Sequence, residues 1–139
     1  MQQEDVSAKV FLADDSALIR GCVARLLSER AITVVGEADT PEASIKGILA
    51  SRPDVVVLDV KLAGGSGLEV LRSIRLSAPQ IAFVVFSNHS GEAYRRRYLR
   101  EGAEHFLDKC AEFDQLADVI AQMFADRGHL PEATLPSLH

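Results

Sequence analysis

The sequence is poor in the features that usually mark a secreted, membrane-bound or nucleic-acid-binding protein. It contains no tryptophan and only two cysteines, Cys22 and Cys110, which form neither a metal-ligand spacing nor a disulfide framework. No apolar run approaches the ~20 residues of a membrane span, and the polar segment at residues 1–5 is not expected to be a signal peptide. Acidic residues outnumber basic ones by 20 to 15, which argues against general nucleic-acid binding. These absences predict a cytoplasmic protein without nucleic-acid or membrane partners.

What the chain does contain is an alternation of apolar runs, rich in β-branched residues, with stretches of helical period. The pattern predicts strands at residues 9–13, 32–37, 54–59, 81–86 and 104–108. It predicts helices at residues 16–30, 40–51, 67–77, 92–101 and 112–126, and a glycine-rich loop at residues 62–66. The third strand, Val55-Val56-Val57-Leu58, has no polar alternation, which is typical of a parallel sheet that helices cover on both sides.

This order of elements predicts an α/β fold. We expect a doubly wound five-stranded parallel sheet of the flavodoxin-like kind, with strand order 2-1-3-4-5 and helices on both faces. The length of 139 residues is enough for one such domain. We assign the domain to residues 8–126, after an N-terminal lead at residues 1–7. Residues 127–139 are expected to form a flexible tail or the start of a linker.

Acidic side chains follow two of the predicted strands. Asp14 and Asp15 come after the first strand and Asp59 ends the third. These strands are neighbours in the predicted order and flank the switch point, where open α/β sheets bind their ligands. Three carboxylates in one crevice repel each other unless a cation joins them, and an all-oxygen site suits Mg²⁺ or Mn²⁺. The alternative is that Asp14 and Asp15 only cap the following helix.

A hydroxyl and an ammonium follow two further strands. Ser87 comes directly after the fourth predicted strand, and Lys109 comes directly after the fifth. Lys109 places a compact positive charge at the same edge of the sheet, where it suits a phosphoryl oxygen. Ser87 supplies one hydrogen-bond donor. Together with the acids, these residues predict a site for a cation and a phosphoryl group, with one carboxylate free to act as the nucleophile.

These positions carry a resemblance to a known family, the receiver domain of bacterial two-component response regulators. The similarity extends from about residue 9 to residue 126. It rests on five pieces of sequence in this order: Asp14-Asp15, Asp59, Gly67-Leu68-Glu69, Ser87, and Gly102-Ala103 with Phe106-Leu107-Asp108-Lys109.

The resemblance implies a phosphoacceptor signalling module rather than an enzyme. Asp59 would accept a phosphoryl group from a histidine kinase or phosphotransfer protein and form an acyl phosphate. Mg²⁺ would be held by Asp15, Asp59 and the backbone carbonyl of Lys61, with Asp14 reaching it through water. The only catalysis implied is phosphorylation of the domain itself from donors, and its autodephosphorylation.

The resemblance also implies how the signal is read. Lys109 would bind one phosphoryl oxygen, Ser87 would move inward to bind another, and Phe106 would change rotamer with it. The switching surface would lie around the fourth helix, the fifth strand and the fifth helix. The partner would be a downstream protein, or an output domain if the chain is part of a longer regulator, and the phosphorylated form could form a homodimer.

Several residues near the site depart from the family pattern. Ala63 replaces a common proline, Asn88 replaces a small residue after the switch hydroxyl, and Cys110 replaces the proline that often follows the lysine. Lys61 and His89 stand where side chains tune the attacking water in this family. The departures put the lifetime of the phosphorylated form in question, but they leave the core chemistry in place.

The sequence leaves open the role of one helix surface and two alternative functions of the whole chain. The arginine-rich stretch at residues 94–100 can be a solvated helix face, a surface for an acidic protein, or a contact for nucleic-acid phosphates. The whole chain can be a receiver-like adaptor that binds partners without phosphorylation. A Mg²⁺-dependent phosphatase of the haloacid dehalogenase kind is the other alternative function, although such enzymes usually have an acid where this chain has Lys61.

Overall fold

A computed structural model describes the backbone of residues 7–138 and the side chains of residues 7–127. The strands are β1 Lys9–Ala13, β2 Thr33–Ala38, β3 Val55–Leu58, β4 Lys61–Leu62, β5 Gly65–Ser66, β6 Ala82–Ser87 and β7 His105–Asp108. The helices are α1 Ala17–Ser28, α2 Pro41–Ser51, α3 Gly67–Ser77, α4 Glu92–Arg100 and α5 Leu116–Leu138, with a short 3-10 helix at Phe113–Gln115.

The main sheet is parallel and has the order β2-β1-β3-β6-β7. Because β4 and β5 pair only with each other, this is the order 2-1-3-4-5 among the five strands of the main sheet. The predicted α/β fold and strand order are therefore confirmed. The carboxyl ends of β1, β3, β6 and β7 lie along one edge of the sheet, where the predicted site residues either end a strand, as Ser87 does, or follow it.

Helices cover both faces of the sheet, as the uninterrupted apolar strands predict. Phe11 and Val56 point into a core that α2, α3 and α4 complete, whereas Val10 and Val57 point into a second core closed by α1 and α5. All four side chains are buried. Burying an aliphatic or aromatic side chain of this size contributes about 1.5–3 kcal/mol, so the two cores together hold the strand ends in place.

Two helix starts follow from the local sequence. The Ser16 hydroxyl accepts a hydrogen bond from the Ile19 N–H at 3.2 Å and caps α1. The Thr40 hydroxyl does the same for α2 with the Ala43 N–H at 3.1 Å, and Pro41 occupies the first turn. Both caps satisfy N–H groups that have no partner within the helix.

The structure corrects the predicted elements in two places. The glycine-rich loop predicted at residues 62–66 is in fact largely an antiparallel hairpin, in which Lys61 pairs with Ser66 and Leu62 with Gly65. The last helix begins at Leu116, after the 3-10 turn, and continues to Leu138 instead of ending at residue 126. Residues 1–6 of the predicted lead lie outside the described residues, and the domain limits stay a prediction. Among the described residues, no helix combines the length and the apolar composition that crossing a bilayer requires.

Candidate functional site

The three predicted acids meet at the carboxyl edge of the sheet. Backbone hydrogen bonds continue the strand pairing by one residue, from the Asp59 N–H to the Ala13 carbonyl at 2.9 Å and from the Asp14 N–H to the Ala38 carbonyl at 3.1 Å. One carboxylate oxygen from each of Asp14, Asp15 and Asp59 lies within 4.8 Å of the other two. Asp14 and Asp59 are buried, while Asp15 is exposed and opens the cluster to solvent.

Lys109 joins the two buried acids. Its Nζ lies 2.7 Å from Asp14 Oδ2 and 2.9 Å from Asp59 Oδ2. The Lys109 N–H donates to the Ser87 carbonyl at 3.1 Å, which keeps the lysine beside β6 after β7 has ended. Burial by itself lowers the pKa of the Lys109 ammonium, but the hydrogen bonds to Asp14 and Asp59 outweigh it, and the pKa is raised. Lys109 is therefore a fixed positive charge next to Asp59.

Ser87 lies on the other side of the Asp59 carboxylate. Its hydroxyl is fully buried, donates to Asp59 Oδ1 at 2.6 Å and accepts the His89 N–H at 3.1 Å. The Lys61 N–H also approaches Asp59 Oδ1, at 3.4 Å. The Ser87 hydroxyl therefore contacts the Asp59 carboxylate itself in this structure, and the expected movement of Ser87 on phosphorylation stays a prediction.

Phe106 is buried and enclosed by two residues of α4. Its ring meets the ring of Tyr98 edge-on at 6.1 Å, and the Arg95 guanidinium lies over its face at 5.1 Å. Arg95 also donates to the Phe106 carbonyl at 2.9 Å. The Tyr98 hydroxyl donates to the Val60 carbonyl at 3.4 Å, one residue beyond Asp59. Burial raises the pKa of Tyr98 to about 12, which keeps this hydroxyl a donor.

Sequence reasoning missed Tyr98 and Arg95, because it treated the arginine-rich stretch as surface. Tyr94 and Tyr98 are four residues apart and share one face of the helix, which is the signal that could have found the buried tyrosine. Other arginines of α4 pair locally, Arg96 with Glu92 at 3.1 Å and Arg97 with Glu101 at 3.8 Å.

The residues that depart from the family pattern lie at the rim of the site. Asn88 and Cys110 are both exposed, and the Cys110 thiol approaches Asn88 Oδ1 at 3.4 Å.

Asp108 is the hydrogen-bond acceptor of the turn beside these residues. Cys110 and Ala111 donate their backbone N–H groups to Asp108 Oδ1, each at 2.8 Å, and the Ser90 hydroxyl donates to Oδ2. Hydrogen bonds from Ser90 and from the Ala111 N–H lower the pKa of Asp108. Asp108 therefore organises the turn that carries Lys109.

The acidic cluster fits a hard divalent cation. Burial raises the pKa of Asp14, and the charge of Asp59 adds to the rise, although the hydrogen bonds from Lys109 and the Ser16 N–H oppose it. Keeping Asp14 ionised in the folded protein therefore costs free energy, and a cation bound to the carboxylate would reduce that cost. Carboxylate oxygens are the ligands that Mg²⁺ prefers.

We expect Asp14→Asn to raise the stability of the metal-free protein at neutral pH. Since the pKa of Asp14 is raised on folding, the native state binds more protons than the unfolded state above the ordinary value of 3.8, and stability falls as pH rises through that window. Asparagine cannot ionise, so it removes the free-energy cost of keeping this side chain charged.

Mg²⁺ at 100 times its Kd should stabilise the wild type by about 2.7 kcal/mol, and the Asp14→Asn variant by less. Urea unfolding in EDTA and in Mg²⁺ measures both effects, and an asparagine variant that is less stable than the wild type in EDTA would contradict the expectation.

A doubly wound parallel sheet with three acids, a lysine and a serine gathered at its carboxyl edge defines a class of module that can hold a cation beside a buried carboxylate. The family model of the response regulator receiver domain matches residues 10–121. The chain therefore belongs to the response regulator receiver domain family and is a signalling module of two-component systems. The resemblance stated from the sequence is confirmed.

Individual relatives agree with this assignment. The chain is 33% identical over 123 residues to the response regulator GacA of Pseudomonas aeruginosa, which covers 88% of this chain and 58% of the relative. It is 30% identical over 131 residues to the DNA-binding transcriptional activator DevR/DosR of Mycobacterium tuberculosis, which covers 94% of this chain and 60% of the relative. The chain thus spans a little over half the length of these relatives.

Solved structures agree as well. The signal receiver domain of the putative response regulator NarL from Mycobacterium tuberculosis is 30% identical and superposes with a TM-score of 0.80, over 86% of this chain and 97% of that one. A LuxR-family two-component response regulator from Aurantimonas is 28% identical, with a TM-score of 0.82 over 87% of each chain.

Proposed function

We propose that Asp59 is the phosphoacceptor of this receiver domain. One observation carries the proposal: the Asp59 carboxylate has the Lys109 ammonium at 2.9 Å on one oxygen and the Ser87 hydroxyl at 2.6 Å on the other. Asp14 shares the lysine but has no such contact with Ser87 among the described hydrogen bonds. Asp59 is therefore the acid that has both a positive charge and a hydroxyl donor in place to bind the oxygens of a phosphoryl group.

In the proposed reaction, an Asp59 oxygen attacks the phosphorus of a phosphohistidine on a histidine kinase or phosphotransfer protein. The P–N bond breaks, its electron pair stays on the imidazole, and Asp59 becomes an acyl phosphate. Asp14, Asp15, Asp59 and the Lys61 backbone carbonyl are the groups that would hold Mg²⁺, which when bound supplies positive charge to the transferring oxygens. Lys109 contributes a second, fixed positive charge, and Ser87 donates a hydrogen bond to another oxygen.

The proposed output runs from Ser87 to Phe106. When Ser87 leaves Asp59 Oδ1 for a phosphoryl oxygen, the packing of Phe106 against Tyr98 and Arg95 is the neighbouring contact that can respond. The surface formed by α4, β7 and α5 would then bind a downstream protein, an attached output domain or a second copy of the chain. Such a switch reads a local charge through packing alone, since Phe106 has no hydroxyl.

The proposal is tested by incubating the protein with acetyl phosphate and Mg²⁺ and measuring its mass. We expect one added phosphoryl group that is stable in acid and labile in base, located on the peptide that contains Asp59, and absent when EDTA replaces Mg²⁺. Failure to form the adduct from acetyl phosphate, phosphoramidate and a phosphorylated histidine kinase would overturn the proposal and favour an adaptor. Continuous hydrolysis of ordinary phosphomonoesters would instead indicate a phosphatase.

A further inference from the structure

A groove lies beside the phosphoacceptor site, between the β4–β5 hairpin and α4. Its volume is about 410 Å³ and it is open to solvent. We call it the α4 groove and define its apolar part by Val60, Leu68, Ala93, Tyr94 and Tyr98. Val60 and Tyr98 are buried, Leu68 is half-buried, and Ala93 and Tyr94 are exposed at the mouth. The groove can therefore receive one large apolar side chain without rearrangement of the core.

The ionisable side chains that line the α4 groove, apart from the two tyrosines, are all basic. Lys61 stands on the hairpin side and Arg97 on the helix side, with His89 at the end nearest the site. Within residues 7–127, Lys61 takes part in no ion pair, and no carboxylate lines the groove. The Arg97 ion pair with Glu101 is long, 3.8 Å, and the same Glu101 Oε2 atom lies closer to Arg72, at 2.9 Å. In a protein with a net charge of −5, this is a local concentration of positive charge around an apolar floor.

The floor of the α4 groove is connected to the phosphoacceptor site. Val60 follows Asp59 directly, and its carbonyl accepts the Tyr98 hydroxyl at 3.4 Å. Tyr98 also meets Phe106 edge-on. The groove lies on the side of α4 that faces the hairpin, whereas Arg95 on the same helix faces β7 through the Phe106 carbonyl. It is therefore a surface distinct from the one formed by α4, β7 and α5.

We propose that the α4 groove docks an acidic peptide segment of a partner protein. One aromatic side chain of the segment inserts against Val60, Leu68 and Tyr98, and carboxylates on either side of it bind Lys61 and Arg97. Charge complementarity decides the class of occupant, since the rim offers two cations on opposite walls and an arginine binds a carboxylate through two parallel hydrogen bonds. A buried aromatic anchor surrounded by charge pairs is the usual arrangement of a peptide-docking site.

The absence of tryptophan from the chain gives a direct test. The probe is the synthetic peptide acetyl-Glu-Asp-Trp-Glu-Asp-amide, whose indole is then the only tryptophan in the mixture. We expect a saturable blue shift and a rise in anisotropy on titration with the wild-type protein. Arg97→Glu should weaken binding about tenfold or more, because a charge-assisted contact is replaced by repulsion. Ala93→Phe should weaken it similarly by filling the mouth of the groove.

Arg100→Glu is the matched control, since it changes charge equally on the same helix at an exposed position that does not line the groove. It should leave the affinity within about twofold, and the peptide acetyl-Lys-Lys-Trp-Lys-Lys-amide should not bind. Absence of saturable binding to the wild type, equal weakening by Arg100→Glu, or equal binding of the basic peptide would each overturn the proposal. Phosphorylation of the same samples from acetyl phosphate is measured separately, so a failure here is distinguishable from a failure of Asp59 to act as the acceptor.

Discussion

Asp59→Asn is expected to abolish phosphorylation of the protein. An amide cannot attack phosphorus under these conditions, and no other carboxylate among the described residues contacts both Lys109 and Ser87. The fold should persist, because the asparagine amide oxygen can still accept from Ser87 and Lys109 keeps its contact with Asp14 at 2.7 Å. Mass measurement after incubation with acetyl phosphate and Mg²⁺ should therefore show the phosphoryl adduct on the wild type and none on the variant.

Asp54→Asn is the matched control for this experiment. Asp54 precedes the same strand, β3, but at its amino end, where its carboxylate accepts the Lys9 N–H at 2.9 Å. The whole length of β3 separates Asp54 from the carboxyl edge of the sheet. The Asp54→Asn variant should therefore be phosphorylated as the wild type is. A phosphoryl adduct on Asp59→Asn at the wild-type level would show that another acid, such as Asp14 or Asp15, is the acceptor.

Gly67→Ala is expected to impair both stability and phosphorylation, although it adds a single methyl group. A Cβ at this position would lie 2.2 Å from the Asp59 carbonyl oxygen and 3.1 Å from Leu58 Cγ. The Gly67 N–H donates to the Val60 carbonyl at 2.8 Å, so the two backbone segments are tied together at the contact. The clash is with backbone, and no side-chain rotation relieves it. The backbone that carries Asp59 must therefore move.

The expected loss of stability is about 1–3 kcal/mol, which is typical of an overpacked site. The phosphorylation rate should fall about 100-fold, since a displacement of roughly 1 Å in a reacting group costs that much. Urea unfolding and the rate of adduct formation from acetyl phosphate measure the two effects.

Gly21→Ala is the matched control for Gly67→Ala. Gly21 lies on the exposed face of α1, and a Cβ there meets no atom within 4 Å. Because alanine loses less conformational entropy than glycine in a helix, this variant should be more stable by about 0.5–1 kcal/mol and should be phosphorylated normally. If Gly67→Ala had the stability and phosphorylation rate of the wild type, the close approach between α3 and the Asp59 backbone would be ruled out as a constraint on the site.

Much of the site could be predicted because all strands of a parallel sheet end at the same edge, so that a residue's position at the end of a strand gives its location in the fold. An apolar run identifies a strand, and the polar residue after it must then lie at the carboxyl edge. This reasoning located Asp14, Asp59, Ser87 and Lys109 together, and the structure brings all four into contact. The same reasoning failed for the hairpin, where strands of two residues are too short to show any period.

The amino-acid sequence by itself determined where the strands lie along the chain, the two apolar faces and the edge at which the polar residues gather. Only the tertiary structure decided which atoms meet there: the Ser87 hydroxyl on Asp59, the Tyr98 hydroxyl on the Val60 carbonyl, and the Gly67 backbone against that of Asp59. The α4 groove also exists only where the hairpin and α4 face each other. The physical reason is that periodicity specifies the face and the end of an element, whereas distances and rotamers depend on packing between segments that are remote in the chain.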